Sequence, residues 1–163
     1  MWSNPIVLKI PSDWNITEEK FFEFCQINRD LRIETNKFGE LLIMSPSGSE
    51  TGNRSLGIAA QLYFWAETEG NGIAFDSSAG FTLSTGAEKS PDASWIKLER
   101  WQSLSQEQKE KFAPICPDFV VELMSPSDNL KTLQSKMTEY MEEPGVKLGW
   151  LIDRKQRKVY IYR

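Results

Sequence analysis

Four charged side chains are the candidates for chemistry in this chain of 163 residues: Glu50, Asp92, Glu122 and Lys136. Glu122 lies inside the apolar run 119–124, which predicts a short strand that ends in a turn at 125–128. Because alternate side chains of a strand share a face, Glu122 should point the same way as Val120 and Met124. A carboxylate in such a strand is costly unless it is paired, protonated or bound to a cation. Glu122 is therefore the first indication of a site.

Two Pro-Asp pairs compete to supply a second carboxylate. Asp118 lies only four residues before Glu122, and four residues of strand span roughly 13 Å at about 3.3 Å per residue. Asp92 follows Pro91 at the start of another predicted strand, from which it can come within ~5 Å of Glu122 across a ladder. We therefore expect Asp92 to be the partner and Asp118 to be a turn or strand-start residue.

Lys136 belongs to a helix predicted over about 128–142. The apolar face of this helix carries Leu130, Leu133, Met137, Tyr140 and Met141. At 100° per residue, Lys136 lies about 90° from the centre of that face, from where it can reach back along the sheet. The alternative is a solvated or snorkelling lysine. Lys131 lies further from the face and is a weaker candidate.

Glu50 falls in the first turn of a second helix, predicted over 49–68. The apolar stripe predicted for this helix comprises Leu56, Ala59, Ala60, Tyr63 and Ala66. An alternative role for Glu50 is structural, because Ser47-Gly48-Ser49-Glu50 fits the S-x-x-E capping box.

Two or three carboxylates and a lysine at one place would suit a hard divalent cation. Mg²⁺ typically takes one or two carboxylates together with waters and phosphate oxygens. The cation would lower the pKa of a bound water and neutralise charge on a phosphodiester, while the lysine holds that water or stabilises the transition state. The plainer interpretation, an α/β domain with one buried glutamate, stays open on spacing alone.

The elements that must position these residues form a strand-rich α/β (α+β) domain. An antiparallel hairpin is predicted from strands over 31–35 and 41–44, and a second hairpin ends the chain at 148–153 and 158–162. Between them lie three short strands over 73–76, 80–83 and 92–96, and one or two helical turns within 99–112. We expect one domain over residues 1–163.

Residues 1–30 are expected to cover the core. They contain a short helix predicted over 17–27, with Thr17 as N-cap and Phe21, Phe22, Phe24 and Ile27 on its apolar side.

Composition excludes several classes of site. The chain has no histidine, which excludes histidine triads and HExxH zinc sites. Cys25 and Cys116 form no metal-spaced pair. The N-terminus lacks a signal-peptide pattern and no apolar run is long enough for a membrane span, so we expect a cytoplasmic protein.

Charge is unevenly distributed along the chain. The formal net charge is −4, yet residues 147–163 hold six basic side chains against one acidic side chain, Asp153. Such asymmetry is typical of a surface for an anionic partner, although a solvated terminal hairpin explains it equally well.

An ordered set of segments resembles a known family. The segments are 39–46, 80–83, 90–96, 117–128, 136–140 and 145–153. In this order they are similar to the Uma-type restriction endonucleases of the PD-(D/E)XK nuclease-like superfamily, over roughly residues 31–163. The resemblance implies a restriction-endonuclease-like core and hydrolysis of DNA phosphodiester bonds with Mg²⁺ or Mn²⁺.

The resemblance also implies roles for individual residues. Asp92 matches the first acid and Glu122 the second, so both would bind metal, and Glu50 matches a glutamate of the first helix that completes the metal shell. The lysine expected two residues after Glu122 is replaced by Met124, and Lys136 on the following helix would supply it. A histidine often follows the glutamate of the first helix, but here that position is Thr51.

Three functions are therefore considered. The first is a Mg²⁺-dependent endonuclease in which Lys136 aids attack by water. The second is a binding or regulatory module that keeps the fold without activity, which Met124, Thr51 and the acidic net charge favour. The third is a metal-dependent phosphoesterase for small substrates. The sheet edges at the two hairpins, and the two strands of a DNA duplex, predict a homodimer.

Overall fold

The computed structural model describes residues 5–163. Its strands are β1 (Ile6–Leu8), β2 (Arg32–Thr35), β3 (Leu41–Met44), β4 (Gly72–Asp76), β5 (Phe81–Thr82), β6 (Glu88–Lys89), β7 (Ala93–Lys97), β8 (Phe119–Met124), β9 (Leu148–Asp153) and β10 (Lys158–Tyr162). Its helices are α1 (Glu18–Ile27), α2 (Ser49–Glu69), α3 (Leu98–Gln102), α4 (Gln106–Glu110) and α5 (Leu130–Met141), with a 3₁₀ turn at Ser12–Trp14. The first four residues of the predicted N-terminal cover lie outside the described residues.

A five-stranded sheet in the order β10-β9-β8-β7-β4 forms the centre of the fold. β8 and β9 are parallel, whereas the other neighbouring strands are antiparallel. Parallel neighbours need a crossover connection, and α5 supplies it. The mixed central sheet with two main helices, predicted from the sequence, is confirmed.

α5 packs on one face of this sheet. Leu133, Met137 and Tyr140 lie in a buried cluster with Val120 of β8 and Leu151 of β9. At Gly149 of β9 an added Cβ would lie 2.5 Å from the terminal methyl of Met137, so the absence of a side chain there gives this methionine room against the strand. Because Met137 packs closely against β9, its neighbour Lys136 on α5 also lies near the sheet.

α2 packs against β4 and β7 through only part of the stripe that the sequence predicted. Leu56 and Tyr63 are 68% and 50% exposed, whereas Thr51 and Ala66 are buried. Between those two, the partly buried positions are Ser55, Ile58, Ala59, Ala60 and Leu62. The three alanines of the predicted stripe therefore face inward, whereas its two large residues, Leu56 and Tyr63, do not.

The predicted capping box is also wrong. The N-cap of α2 is Gly48, and no side chain caps the first turn. Glu50 points to solvent from that turn, with 71% of its side chain exposed. Its position therefore has no capping explanation.

The N-terminal half of the chain builds a second, three-stranded sheet in the order β1-β3-β2. The predicted β2–β3 hairpin is present, and β1 adds an edge strand that the sequence did not predict. α1 begins after Thr17, whose side chain accepts a hydrogen bond from the Lys20 backbone N–H, as predicted. Of its predicted apolar side only Phe21 is buried, since Ile27 is 76% exposed.

No helix within residues 5–163 combines the length and the apolar character needed to cross a bilayer.

Candidate active site

Asp92 and Glu122 lie opposite each other on neighbouring strands. Ala93 of β7 pairs with Val121 of β8 in antiparallel register, which puts Asp92, one residue before β7, beside Glu122. Asp92 Oδ2 accepts a hydrogen bond of 2.8 Å from the Leu123 backbone N–H. The Pro-Asp pair at the start of β7 thus holds its carboxylate against the middle of β8.

Lys136 is buried between two glutamates. Its Nζ lies 2.8 Å from Glu122 Oε1 and 2.9 Å from Glu34 Oε1. One turn later on α5, the Tyr140 hydroxyl donates a 3.0 Å hydrogen bond to Glu122 Oε1. The structure therefore brings Asp92, Glu122 and Lys136 together, with Lys136 turned inward from the flank of its helix.

Two participants were not found from the sequence: Glu34 and Arg32 of β2. Glu34 is almost fully buried and accepts from Lys136. Arg32 donates to Asp92 Oδ1 at 3.2 Å and to the Ser90 carbonyl, and it lies 3.8 Å from Glu34. Glu34 carried no such signal as Glu122 did, because β2 reads Arg-Ile-Glu-Thr and a carboxylate is not conspicuous in a polar strand.

The central residues contain three carboxylates, of Asp92, Glu122 and Glu34, and the cations that pair with them directly are two, Arg32 and Lys136. Burial raises the pKa of Glu122 to about 7. Lys136 opposes this rise, while the charges of Asp92 and Glu34 add to it. Glu122 therefore holds a proton more readily than an exposed glutamate does.

The other two pKa shifts keep a charged pair beside Glu122. Burial alone would raise the pKa of Glu34, but Lys136, Arg32 and Lys89 outweigh it and hold that pKa below its usual value. Burial alone would lower the pKa of Lys136, and Glu122 and Glu34 together raise it instead. Lys136 is a permanent cation at neutral pH.

Glu50 is not part of this cluster. Its Oε1 lies 3.7 Å from Arg54 and 3.5 Å from Arg154, on a neighbouring cavity. The next residue, Thr51, is buried and lines the cavity that contains Asp92 and Glu122. The backbone of α2 therefore passes the site while the Glu50 side chain points elsewhere.

Asp118 has a structural role. Its Oδ2 accepts from the Lys97 backbone N–H at 2.9 Å and pairs with Arg100 at 2.6 Å. Its own carbonyl accepts from the backbone N–H groups of Lys147 and Leu148. Asp118 thus ties the start of β8 to β7 and β9, away from Glu122.

The donor chemistry around Asp92 and Glu122 suits a small, hard cation. Both side chains line a cavity of about 60 Å³, and every hydrogen bond and ion pair of Glu122 within residues 5–163 uses Oε1, which leaves Oε2 unengaged. Across the same residues no three acidic, cysteine or histidine side chains form a metal-binding group. Two carboxylates with water and phosphate oxygens are nevertheless a common Mg²⁺ environment.

Comparisons with known proteins agree with this architecture. A putative nuclease belonging to DUF820 from Anabaena variabilis ATCC 29413, solved by crystallography, superposes with a TM-score of 0.66 at 19% identity. The match covers 80% of this chain and 71% of that chain. This likeness confirms the restriction-endonuclease-like fold. No curated protein matches the sequence.

A sequence family supplies the remaining link. The family Uma2, described as "Putative restriction endonuclease", matches residues 18–163. This span includes the whole five-stranded sheet, α5 and every residue of the buried cluster. The chain belongs to the Uma2 family.

Proposed function

We propose that this protein is an endonuclease that hydrolyses DNA phosphodiester bonds with Mg²⁺ or Mn²⁺. The observation that supports this most is the approach of Lys136 Nζ to within 2.8 Å of Glu122, which itself lies across the ladder from Asp92. Two carboxylates and a buried cation on one end of a mixed sheet can bind a metal and steer a nucleophile. Membership of a family described as a restriction endonuclease supports the same chemistry.

Each residue then has a distinct task. Asp92 and Glu122 hold the metal, which when bound supplies an activated water and neutralises phosphate charge. Lys136 directs the attacking water, and its charge opposes the negative charge that develops on the phosphate. Glu34 and Tyr140 position Lys136 and Glu122. Glu50 completes the metal shell once its side chain leaves Arg54 and Arg154.

The direct test is cleavage of supercoiled plasmid in Mg²⁺ or Mn²⁺, with EDTA as the blank. Asp92→Asn keeps the shape of the side chain and should abolish cleavage. Asp13 is exposed and lies far from Asp92 in the sequence. Asp13→Asn changes the net charge by the same amount, and this variant should cleave DNA like the wild type. Equal cleavage by wild type and Asp92→Asn would identify a contaminant and refute the proposal.

A second candidate, a module that binds without catalysis, is favoured by the ion network itself. Arg32 and Lys136 already neutralise much of the charge on Asp92, Glu122 and Glu34, so the site is satisfied without metal. Calorimetric titration with Mn²⁺ separates the two candidates. Heat that disappears in Asp92→Asn supports the endonuclease, and no heat in the wild type supports the module.

We also propose a homodimer that pairs through β10. This strand is one of the two edges of the central sheet, and its Val159 and Ile161 are half exposed, beside Trp150 of β9. An apolar edge strand is a template for another strand, and pairing with a second copy about a two-fold axis would extend the sheet.

A further inference from the structure

A second cavity lies beside the candidate active site. It has a volume of about 650 Å³ and is bounded by the first turns of α2, the turn after β8 and the turn between β9 and β10. Ser125 and Asp128 line both this cavity and the one that contains Asp92 and Glu122. A ligand that spans the two cavities would therefore pass directly over the Ser125 turn.

The cavity has three basic side chains, Arg54, Arg154 and Lys155. Two of its carboxylates are occupied locally. Asp128 accepts a 2.7 Å hydrogen bond from the Ser125 backbone N–H, and Asp153 accepts one of 3.0 Å from that of Gln156. These two carboxylates hold turns in place, and the arginines of the cavity pair with Glu50 instead.

Arg154 lacks hydrogen-bond acceptors. Its Nε and Nη1 atoms are buried, yet neither makes a hydrogen bond to any residue that the structure describes. The nearest paired carboxylate oxygen is Glu50 Oε1 at 3.5 Å from Nη1, and Arg54 approaches the same oxygen only to 3.7 Å. Unsatisfied donors of a guanidinium are costly, and their planar fork matches the oxygens of a phosphate.

The geometry points to a phosphate-binding pocket formed by Arg54, Arg154 and Lys155, in which the Glu50 carboxylate stands in for the phosphate while no nucleic acid is bound. The ligand is a backbone phosphodiester adjacent to the one that is cleaved, so the inference rests on the proposed nuclease function. An exposed carboxylate shared at long distance is a weak partner. A substrate phosphate displaces it and frees Glu50 to turn toward Asp92 and Glu122.

Binding without cleavage tests this pocket. A short labelled DNA duplex is titrated in EDTA, with fluorescence anisotropy as the readout and unchanged melting temperatures as the folding check. Arg154→Ala should weaken binding about 10-fold, the value of one lost charged hydrogen-bonding group. It should also reduce the slope of log affinity against log salt by about 1.

Two further variants complete the design. Glu50→Gln removes the internal competitor and should tighten duplex binding several-fold in EDTA. Lys158→Ala removes an equal charge from the same hairpin outside the cavity and should change affinity less than two-fold, a change that is small beside the expected 10-fold. The inference would be overturned if Arg154→Ala and Lys158→Ala lost equal affinity for the duplex. It would also be overturned if Glu50→Gln bound the duplex no more tightly than the wild type.

Inorganic phosphate distinguishes the source of the ligand. If phosphate alone binds with the same dependence on Arg154 while the duplex does not, the pocket serves a free anion and the inference is wrong. Because all measurements are made without metal, they do not depend on cleavage. Loss of nuclease activity in Asp92→Asn therefore reports on the proposed function, and duplex binding by Arg154→Ala reports on the pocket.

Discussion

At the scale of residues, one lysine holds the site together. Lys136 satisfies Glu34 and Glu122 at once, and both glutamates are almost fully buried. Breaking a buried ion pair costs more than the pair contributes, because an uncompensated charge is left behind. The residue that we propose for catalysis is therefore also a major determinant of stability.

Lys136→Met should accordingly lower the free energy of unfolding by about 3–5 kcal/mol at pH 8. The loss should be smaller at pH 5, since without the lysine both glutamates bind protons more readily. Urea denaturation measures both values. Lys131→Met, on the exposed side of α5, is the control and should stay within about 0.5 kcal/mol of wild type. A loss of under about 1 kcal/mol for Lys136→Met would show that the pair is solvated, as surface pairs are.

Glu88 provides a separate pH-dependent contribution to stability. Burial raises its pKa from 4.5 to about 7, although hydrogen bonds from Thr82 oppose the rise. A carboxyl with a higher pKa in the folded state binds its proton more tightly there. Its stabilisation is therefore complete below pH 4.5 and disappears as the pH rises through about 7. The pKa of Glu122 is also raised, so its contribution to stability likewise decreases as the pH rises.

In Glu88→Gln the side chain stays neutral at every pH. The free energy of unfolding of this variant should therefore fall less between pH 5 and pH 8 than that of the wild type. Urea midpoints at the two pH values measure the difference. Glu69→Gln, at an exposed position on α2, should keep the pH dependence of the wild type. If Glu88→Gln and wild type lose equal stability over this interval, Glu88 is ionised throughout.

At the scale of elements, α2 passes the site without a side-chain cap. Gly48 has φ −65° and ψ 155°, a conformation open to serine, and no atom lies within 4 Å of the position of an added Cβ. Gly48→Ser should therefore raise the free energy of unfolding by about 0.5–1 kcal/mol, through a new cap and a less flexible unfolded chain.

Thermal or urea unfolding of Ser47→Ala is the informative comparison. Its side chain does not cap α2, so the substitution should change stability by less than about 0.5 kcal/mol. If Ser47→Ala lowered the free energy of unfolding by about 1 kcal/mol, Ser47 would be a cap, as the S-x-x-E pattern of the sequence suggested.

At the scale of the whole molecule, the proposed homodimer pairs through β10, one of the two edge strands of the central sheet. Ile161→Lys places a charge on β10 and should convert the homodimer to a monomer of 18.7 kDa, as measured by light scattering after size exclusion. Val7→Lys makes the same change on β1, at the edge of the other sheet, and should leave the dimer intact. A monomeric wild type, or dissociation by Val7→Lys alone, would contradict pairing through β10.

Much of this architecture could be predicted from the sequence, because hydrophobic periodicity and turn residues encode strands and helices locally. The same reasoning selected Asp92 over Asp118, since strand rise limits which carboxylates can meet. The sequence did not identify Arg32 and Glu34 as site residues, because their partners, Asp92 and Lys136, lie some 60 to 100 residues away in the chain. The stripe predicted for α2 was right at its three alanines and wrong at Leu56 and Tyr63, because the packing of this helix buries small side chains and leaves those two large ones exposed.

The central claim is that Asp92 and Glu122 bind a divalent metal. An anomalous scattering map from crystals grown with Mn²⁺ tests it directly. We predict one peak in contact with both carboxylates, at a distance of about 2.0–2.2 Å, with Arg32 withdrawn from Asp92. A map without a peak there, in which Asp92 remains bound to Arg32 and Glu122 to Lys136, would contradict the account.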